Sequence, residues 1–476
     1  MTPVEDRFFD ADPEARRTAR ALYESIRQLP LICPHGHVDA GVLATNEQFP
    51  EPTALLITPD HYVLRMLYSQ GVPLESLGIP SRDGARVESD PRRIWQTFAT
   101  HYYLFRGTPT RAWMDYELRE VFGIGERLDA ETGMAIYYEI AEKLASPEFY
   151  PRALFERFNI EALATTDRAT DDLANHCAIQ QSGWHGRVIP TFRPDALFSI
   201  ASQGWLSEVR SLGSAAGMDI VEIEAFLAAI ENRRAFFRST GATATDHGVV
   251  TPRTERLPDA ELRHVFARAL AGEATIADQS AFEAHMLLEM ARMSVSDGLV
   301  MQLHAGAFRD HNDFIAARFG ADKGADIPVA AEFTRNLRPL LNDFGNDSRF
   351  TLILFTLDEA TYSRELAPLA GHYPAVRLGP PWWFHDSIEG MRRFREQTTG
   401  TAGIYNTAGF NDDTRAFCSI PARHDLARRM DANFLAGLVI RHIVALDEAH
   451  EMAHALAYDL ARKTYRLDQP VSGNVH

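Results

Sequence analysis

The stretch Leu31-Ile32-Cys33-Pro34-His35-Gly36-His37 decides how this chain is read. Leu31 to Cys33 is a short apolar run of the kind that forms a buried strand, and it stops at two histidines one residue apart. Side chains alternate faces in an extended backbone, so His35 and His37 point the same way while Gly36 keeps the space between them clear. That is a grip for one metal ion. The plainer alternative is a pair of polar histidines at a strand end, in a chain that has 18 of them.

Upstream of this stretch, Asp10 to Gln28 is charged, Ala-rich and amphipathic, and is expected to be a helix leading into the strand. Downstream, Glu51 to about Tyr150 keeps a helical pattern with no clear strand, through Asp60-His61-Tyr62, Ile94-Trp95 and Trp113-Met114-Asp115-Tyr116. It reads as a helical insertion after strand 1. From Ile160 short apolar runs recur with helical segments between them: Ile160–Thr166, Arg187–Phe192, Ala242–Asp246, Leu299–His304, Phe350–Leu357, Ala375–Trp383 and Thr407–Asp413. With the strand before His35 they make eight, the pattern of an α/β protein with a distorted (β/α)8 TIM barrel. The expected division is residues 1–50 for the start of the barrel, 51–155 for the insertion, and 156–476 for the remaining strands and the closing helices from Asp425 to Arg466.

The chain has 48 basic and 65 acidic residues, a formal charge of -17. Nucleic acid and anionic membranes both need a basic footprint and are not expected partners. No apolar run approaches the ~20 residues that span a bilayer, and the first residues lack a signal-peptide core. The three cysteines, Cys33, Cys177 and Cys418, are odd in number and scattered, which fits a reducing, cytoplasmic setting. The lysines are Lys143, Lys323 and Lys463, and none ends a strand-like run. A bridging carboxylated lysine therefore has no candidate, and one metal ion is expected rather than two.

In a barrel of this kind the working groups lie at the C-terminal ends of the strands. There the sequence places Thr166-Asp167-Arg168, Arg193, Asp246-His247, His304, Trp382-Trp383 and Asp412-Asp413 with Arg415. Each has an ordinary explanation alone, as a helix cap, a core histidine or packing. Gathered on one rim they point to a site. His35 and His37 with a last-strand aspartate, and His304 as a further candidate, make a nitrogen and oxygen ligand set suited to zinc or another borderline divalent ion.

These motifs, in this order, resemble the uronate isomerase family of the amidohydrolase superfamily. The segments that carry the resemblance are Pro34-His35-Gly36-His37, Asp60-His61-Tyr62 with Arg65, Glu117-Leu118-Arg119, Thr165-Thr166-Asp167, Phe192-Arg193-Pro194-Asp195, Asp246-His247-Gly248, Gln302-Leu303-His304-Ala305-Gly306, Trp382-Trp383-Phe384, and Asp413-Thr414-Arg415 through Ser419 to Arg423-His424-Asp425. Of the adjacent aspartates, Asp413 is the one that fits the family's Asp-x-Arg-x-Phe. Where some members carry a substrate-contacting arginine after the sixth strand, this chain has Asp358-Glu359-Ala360, with Arg364 farther along.

The resemblance implies interconversion of D-glucuronate with D-fructuronate and of D-galacturonate with D-tagaturonate, in hexuronate catabolism. Asp413 would open the ring, His61 and Tyr62 would move a proton between C2 and C1, and Asp246 and Arg415 would support the chemistry. Arg193 is the first choice for the substrate carboxylate, with His304, Trp382 and Trp383 lining the site. His35, His37 and Asp413 would hold one divalent ion, zinc being the first choice but not a strict requirement. A homo-oligomer is the default for such an enzyme. The competing reading is a mononuclear metal-dependent hydrolase, which would not need the His61-Tyr62 pair or Arg193.

Overall fold

The computed structural model describes residues 6–468. The helix expected at the start forms as α1 (Pro13–Ile26), capped by Asp12, whose side chain accepts from the Glu14 and Ala15 amides. It delivers the chain into strand β1 (Leu31–Cys33), which pairs in parallel with β2 (Ile160–Ala164). No strand lies between them among the described residues. The chain instead runs through a series of helices from Pro52–Leu56 to Pro151–Arg157, including α2 (His61–Ser69) and α3 (Pro109–Tyr116).

The remaining strands are β3 (Arg187–Ile189), β4 (Ala244–Val249), β5 (Val300–Ala305), β6 (Leu352–Thr356) and β7 (Val376–Leu378). Parallel pairing runs β1-β2-β3 in one sheet, and β7-β6-β5-β4 followed by the short pieces Phe192–Arg193 and Asp167–Arg168 in another. The two sheets are joined by backbone bonds from Thr165 N to the Ile189 carbonyl and from Asp167 N to the Thr191 carbonyl, both 3.0 Å. One antiparallel pair, Ala307–Phe308 with Ile327–Pro328, stands outside them. The strands are buried on both faces, which is why they read as nearly continuous apolar runs.

Four strand expectations need correction. Arg187–Phe192 is broken because Pro190 has no N–H to donate, and the chain resumes only at Phe192–Arg193. The Ala242–Asp246 run lies farther along, at Ala244–Val249, so Asp246 sits within the strand rather than at its end. Ala375–Trp383 stops at Leu378, before Gly379-Pro380-Pro381, and Trp383 starts a 3-10 turn (Trp383–His385). Thr407–Asp413 forms no strand: Thr407 alone bridges Leu378 in parallel. At Gly409, with φ +76, a Cβ would stand 2.7 Å from the Ala461 amide nitrogen, so the chain turns away against the C-terminal helices. The longest of these is α4 (Ile420–Ile440), which α1 packs against. No helix is long and apolar enough to cross a membrane among the described residues.

Candidate functional site

Strand alternation places the first part of the site. In β5, Met301, Leu303 and Ala305 join the outer core, so Gln302 and His304 lie on the opposite face with Val300. In β4, Ala244 shares that inner face, and Asp246 follows it two residues on. Register pairs Asp246 with Gln302 and Gly248 with His304. The His304 Nδ1–H donates to Asp246 Oδ1 at 2.7 Å, and the His304 Nε2 is buried without a hydrogen-bond partner. A histidine fixed by a carboxylate on one nitrogen and bare on the other is oriented as metal-ligating histidines are.

That bare nitrogen belongs to a cluster in which ligand atoms of His35, His304 and Asp413 all lie within 4.8 Å of one another. Asp413 Oδ1 stands 3.5 Å from His35 Nε2 and 3.2 Å from His37 Nε2. A charge-assisted N–H···O bond would be about 2.7–2.9 Å. Two ligands about 2.0–2.1 Å from a tetrahedral ion stand about 3.3 Å apart, so the spacing fits the edges of a metal polyhedron better than it fits hydrogen bonds. Burial opposes charge on Asp413, but His35 and His37 outweigh it and hold the carboxyl well below the usual range. Asp412, the neighbouring aspartate, turns elsewhere: its Oδ1 lies 3.3 Å from where a Gly36 Cβ would be, so the glycine between the two histidines admits that carboxylate.

The helices between β1 and β2 supply the opposite wall. Asp60 caps α2 by accepting from the Tyr62 amide at 2.8 Å, so His61 and Tyr62 are its first residues. The His61 ring stands edge-on to Trp383 with centroids 5.0 Å apart, and its Nε2 has no partner. Burial pushes the His61 pKa down, leaving a neutral imidazole. Tyr62 meets Trp113 of α3, and burial pushes its phenol up while the Arg423 cation opposes the rise.

Arg423 of α4 ties these pieces together. Its guanidinium lies 3.7 Å from the Trp113 ring centroid and 5.7 Å from that of Tyr62. It donates to Asp386 Oδ2 at 2.9 Å and to the Asp412 carbonyl at 3.2 Å. Burial pushes Asp386 up to about 7 despite that partner.

The cleft above the cluster is lined by His37, His61, Tyr62, Trp382, Trp383, Asp413 and Arg415 among the residues expected from the sequence. His35, Asp246 and His304 lie buried, forming the cluster of contacts already described. Arg193 is not among the lining residues. Its Nε donates to Asp195 at 2.9 Å and its Nη1 stands 3.2 Å from Asp246 Oδ2, so it braces the pair Asp246–His304. The cleft also contains Arg309, Asp322 and Arg423, which sequence reasoning gave no task. Arg309 lies on the excursion after β5 that the antiparallel pair closes, bonded to Asp326 at 2.7 Å, and Arg415 pairs with Asp322. Arg364 pairs with Glu365 instead and does not line the cleft.

The fold and this geometry define an α/β protein whose cleft opens over a histidine and carboxylate cluster. The family model described as glucuronate isomerase matches residues 5–465, and the chain belongs to that family. A uronate isomerase of Nostoc punctiforme is 55% identical over 464 residues, 97% of this chain and 98% of that one. The crystal structure of glucuronate isomerase from Caulobacter crescentus superposes with a TM-score of 0.96 at 50% identity, covering 98% of each chain. That of uronate isomerase from Thermotoga maritima gives 0.91 at 28% identity, covering 98% of this chain and all of that one.

Proposed function

We propose that this chain interconverts an aldouronate and a ketouronate, D-glucuronate with D-fructuronate and D-galacturonate with D-tagaturonate, in hexuronate catabolism. The observation that carries the reading is the pairing of a neutral His61 with Tyr62 on one wall and the His35–His304–Asp413 cluster on the other, with a cleft between them. A hydrolase needs the cluster but has no use for a second acid and base opposite it.

Three tasks fall to the chain's own residues. Asp413, ionised and reaching the cleft, accepts the hydroxyl proton whose loss opens the sugar ring. His61, with a free Nε2, takes the C2 proton of the open chain, and Tyr62 beside it exchanges a proton with the sugar oxygens as the enediol forms and collapses toward C1. Trp382 and Trp383 wall the cleft and keep water from the intermediate. A divalent ion held by His35, His37 and Asp413, with His304 beside them, would supply Lewis-acid polarisation of the sugar oxygens, and this nitrogen and oxygen set suits zinc.

The substrate carboxylate is the point on which geometry amends the sequence-based expectation. Arg193 already faces two carboxylates, and a third there meets a negative field. Arg415 and Arg309 line the cleft, and the Arg415–Asp322 pair is well exposed on both sides. Such pairs contribute little, so exchanging Asp322 for a substrate carboxylate costs little. Arg415 and Arg309 therefore receive the carboxylate, and Arg193 keeps Asp246 and His304 in place.

The strand order supports a distorted (β/α)8 barrel of the amidohydrolase type, completed by Thr407 beside β7 and by the bond from His37 N to the Thr414 carbonyl. Of the described residues, 51–155 form its helical insertion, and 6–50 and 156–468 the rest. Turnover of D-glucuronate and D-galacturonate, followed by appearance of the ketose, tests the activity; release of an acid or amine from an amide or ester, with no ketose, would favour the hydrolase.

A further inference from the structure

Behind the site just described lies a second group of metal-ligating side chains that the proposed mechanism does not use: Cys33 at the end of β1, Asp412 beside Asp413, and His424 on the first turns of α4. Their ligand atoms lie within 4.8 Å of one another, and all three residues are more than nine-tenths buried. We propose that Cys33, Asp412 and His424 form a separate site for a zinc-type divalent ion, which pins β1 to the segment carrying Asp413.

The distances favour this reading. The His424 Nε2 stands 3.3 Å from Asp412 Oδ2 and 3.7 Å from Cys33 Sγ. For ligands about 2.0–2.1 Å (nitrogen, oxygen) and about 2.3 Å (sulfur) from a tetrahedral ion, the nitrogen–oxygen edge is about 3.3 Å and the nitrogen–sulfur edge about 3.6 Å. A hydrogen bond from imidazole to an ionised carboxylate in so dry a place would close to about 2.7–2.9 Å. Charge points the same way: a thiolate and a carboxylate together neutralise one divalent ion, and a buried site requires that balance. Thiolate and imidazole suit a borderline or soft ion rather than magnesium or calcium. Of the three, His424 borders a cavity of about 520 Å³, and a water from that side would complete the coordination. Binding exchanges the Cys33 thiol proton for the ion, and the proton leaves to solvent.

The site differs in kind from the first cluster, because only it offers sulfur. That difference supplies the test. Full-length protein is produced with cobalt as the divalent ion, the metal is counted by elemental analysis, and the near-ultraviolet spectrum is recorded. The expected result is a thiolate-to-cobalt charge-transfer band, with about two ions per chain. In Cys33→Ser the band disappears and the count falls by about one, and His424→Gln, retained in case the serine variant fails to fold, weakens or removes the same band. No thiolate band in the parent protein, or a band that survives Cys33→Ser, overturns the proposal. Since the readout is spectroscopic, an active enzyme without the band leaves the isomerase reading intact, and a band on an inactive one leaves the second site standing.

Discussion

His304 donates its Nδ1–H to Asp246 Oδ1 at 2.7 Å and keeps Nε2 free toward His35 and Asp413. Asp246 is itself held by Arg193, so one guanidinium sets the orientation of His304 through a single intervening carboxylate. Asp246→Asn places an amide where a carboxylate fixed the tautomer. Its metal affinity is expected to fall about 10–100-fold, measured by competition with a chromogenic chelator, with the fold intact by circular dichroism.

The two arginine assignments separate kinetically. Arg309→Met removes a cleft-facing guanidinium and is expected to raise KM about tenfold or more while kcat changes less than about threefold. Arg193→Met frees the Asp246–His304 pair and is expected to lower kcat by about a hundredfold. Steady-state kinetics on D-glucuronate distinguish them, and the reverse pattern would return the substrate carboxylate to Arg193.

Arg423 predicts a split between stability and activity. Arg423→Met leaves Asp386 buried without its partner, and losing one member of a buried pair costs about 3–5 kcal/mol. Adding Asp386→Asn removes that charge and is expected to recover most of the melting temperature. It does not restore the stacking on Trp113 and Tyr62, so kcat stays low in the double variant. Thermal melts and kinetics on the same three samples check both halves.

Burial, with Asp60 nearby, pushes the Glu117 carboxyl up to about 8, against about 4.3 for a glutamate in an unfolded chain. Between those values the folded protein binds the proton that the unfolded chain has lost. Stability therefore falls as pH rises through this window, and the loss is complete above the folded value. Glu117→Gln carries no such proton. Between about pH 6 and about pH 9 its melting temperature is expected to drop less than the parent's, by roughly 2 °C.

Much of this was legible in the chain because strand patterning and motif spacing are local signals. The apolar runs that became β1, β2, β5 and β6 differ from expectation by a residue or two at their ends. The strands that failed did so where a local signal met a tertiary demand: Pro190 and Pro380-Pro381 cut the ladder, and the turn at Gly409 answers to Ala461, distant in sequence. Asp246 and His304 sit in β4 and β5, where residues two apart share a face, which a sequence displays; His35 and His37 follow the end of β1 and Asp413 lies outside the strands, so their approach is set by the fold. Arg423, Arg309 and Asp322 were given no role because their tasks come from folding the insertion and the excursion after β5 over the strand ends. Arg193 pairs with Asp195, two residues on and visible in the sequence, and with Asp246 of β4, a partner that only the fold supplies.

Isomerisation at this site requires a proton to leave C2 of an open-chain uronate toward the His61–Tyr62 wall. The most direct measurement uses D-glucuronate deuterated at C2, with the ketose product followed by NMR in ordinary water. A primary isotope effect on turnover, with the label moved to C1 or washed out to solvent, is the result predicted, and His61→Asn and Tyr62→Phe should both lower the rate steeply. A ketose formed with no primary isotope effect and at an unchanged rate in both variants, or no ketose from any hexuronate, would contradict it.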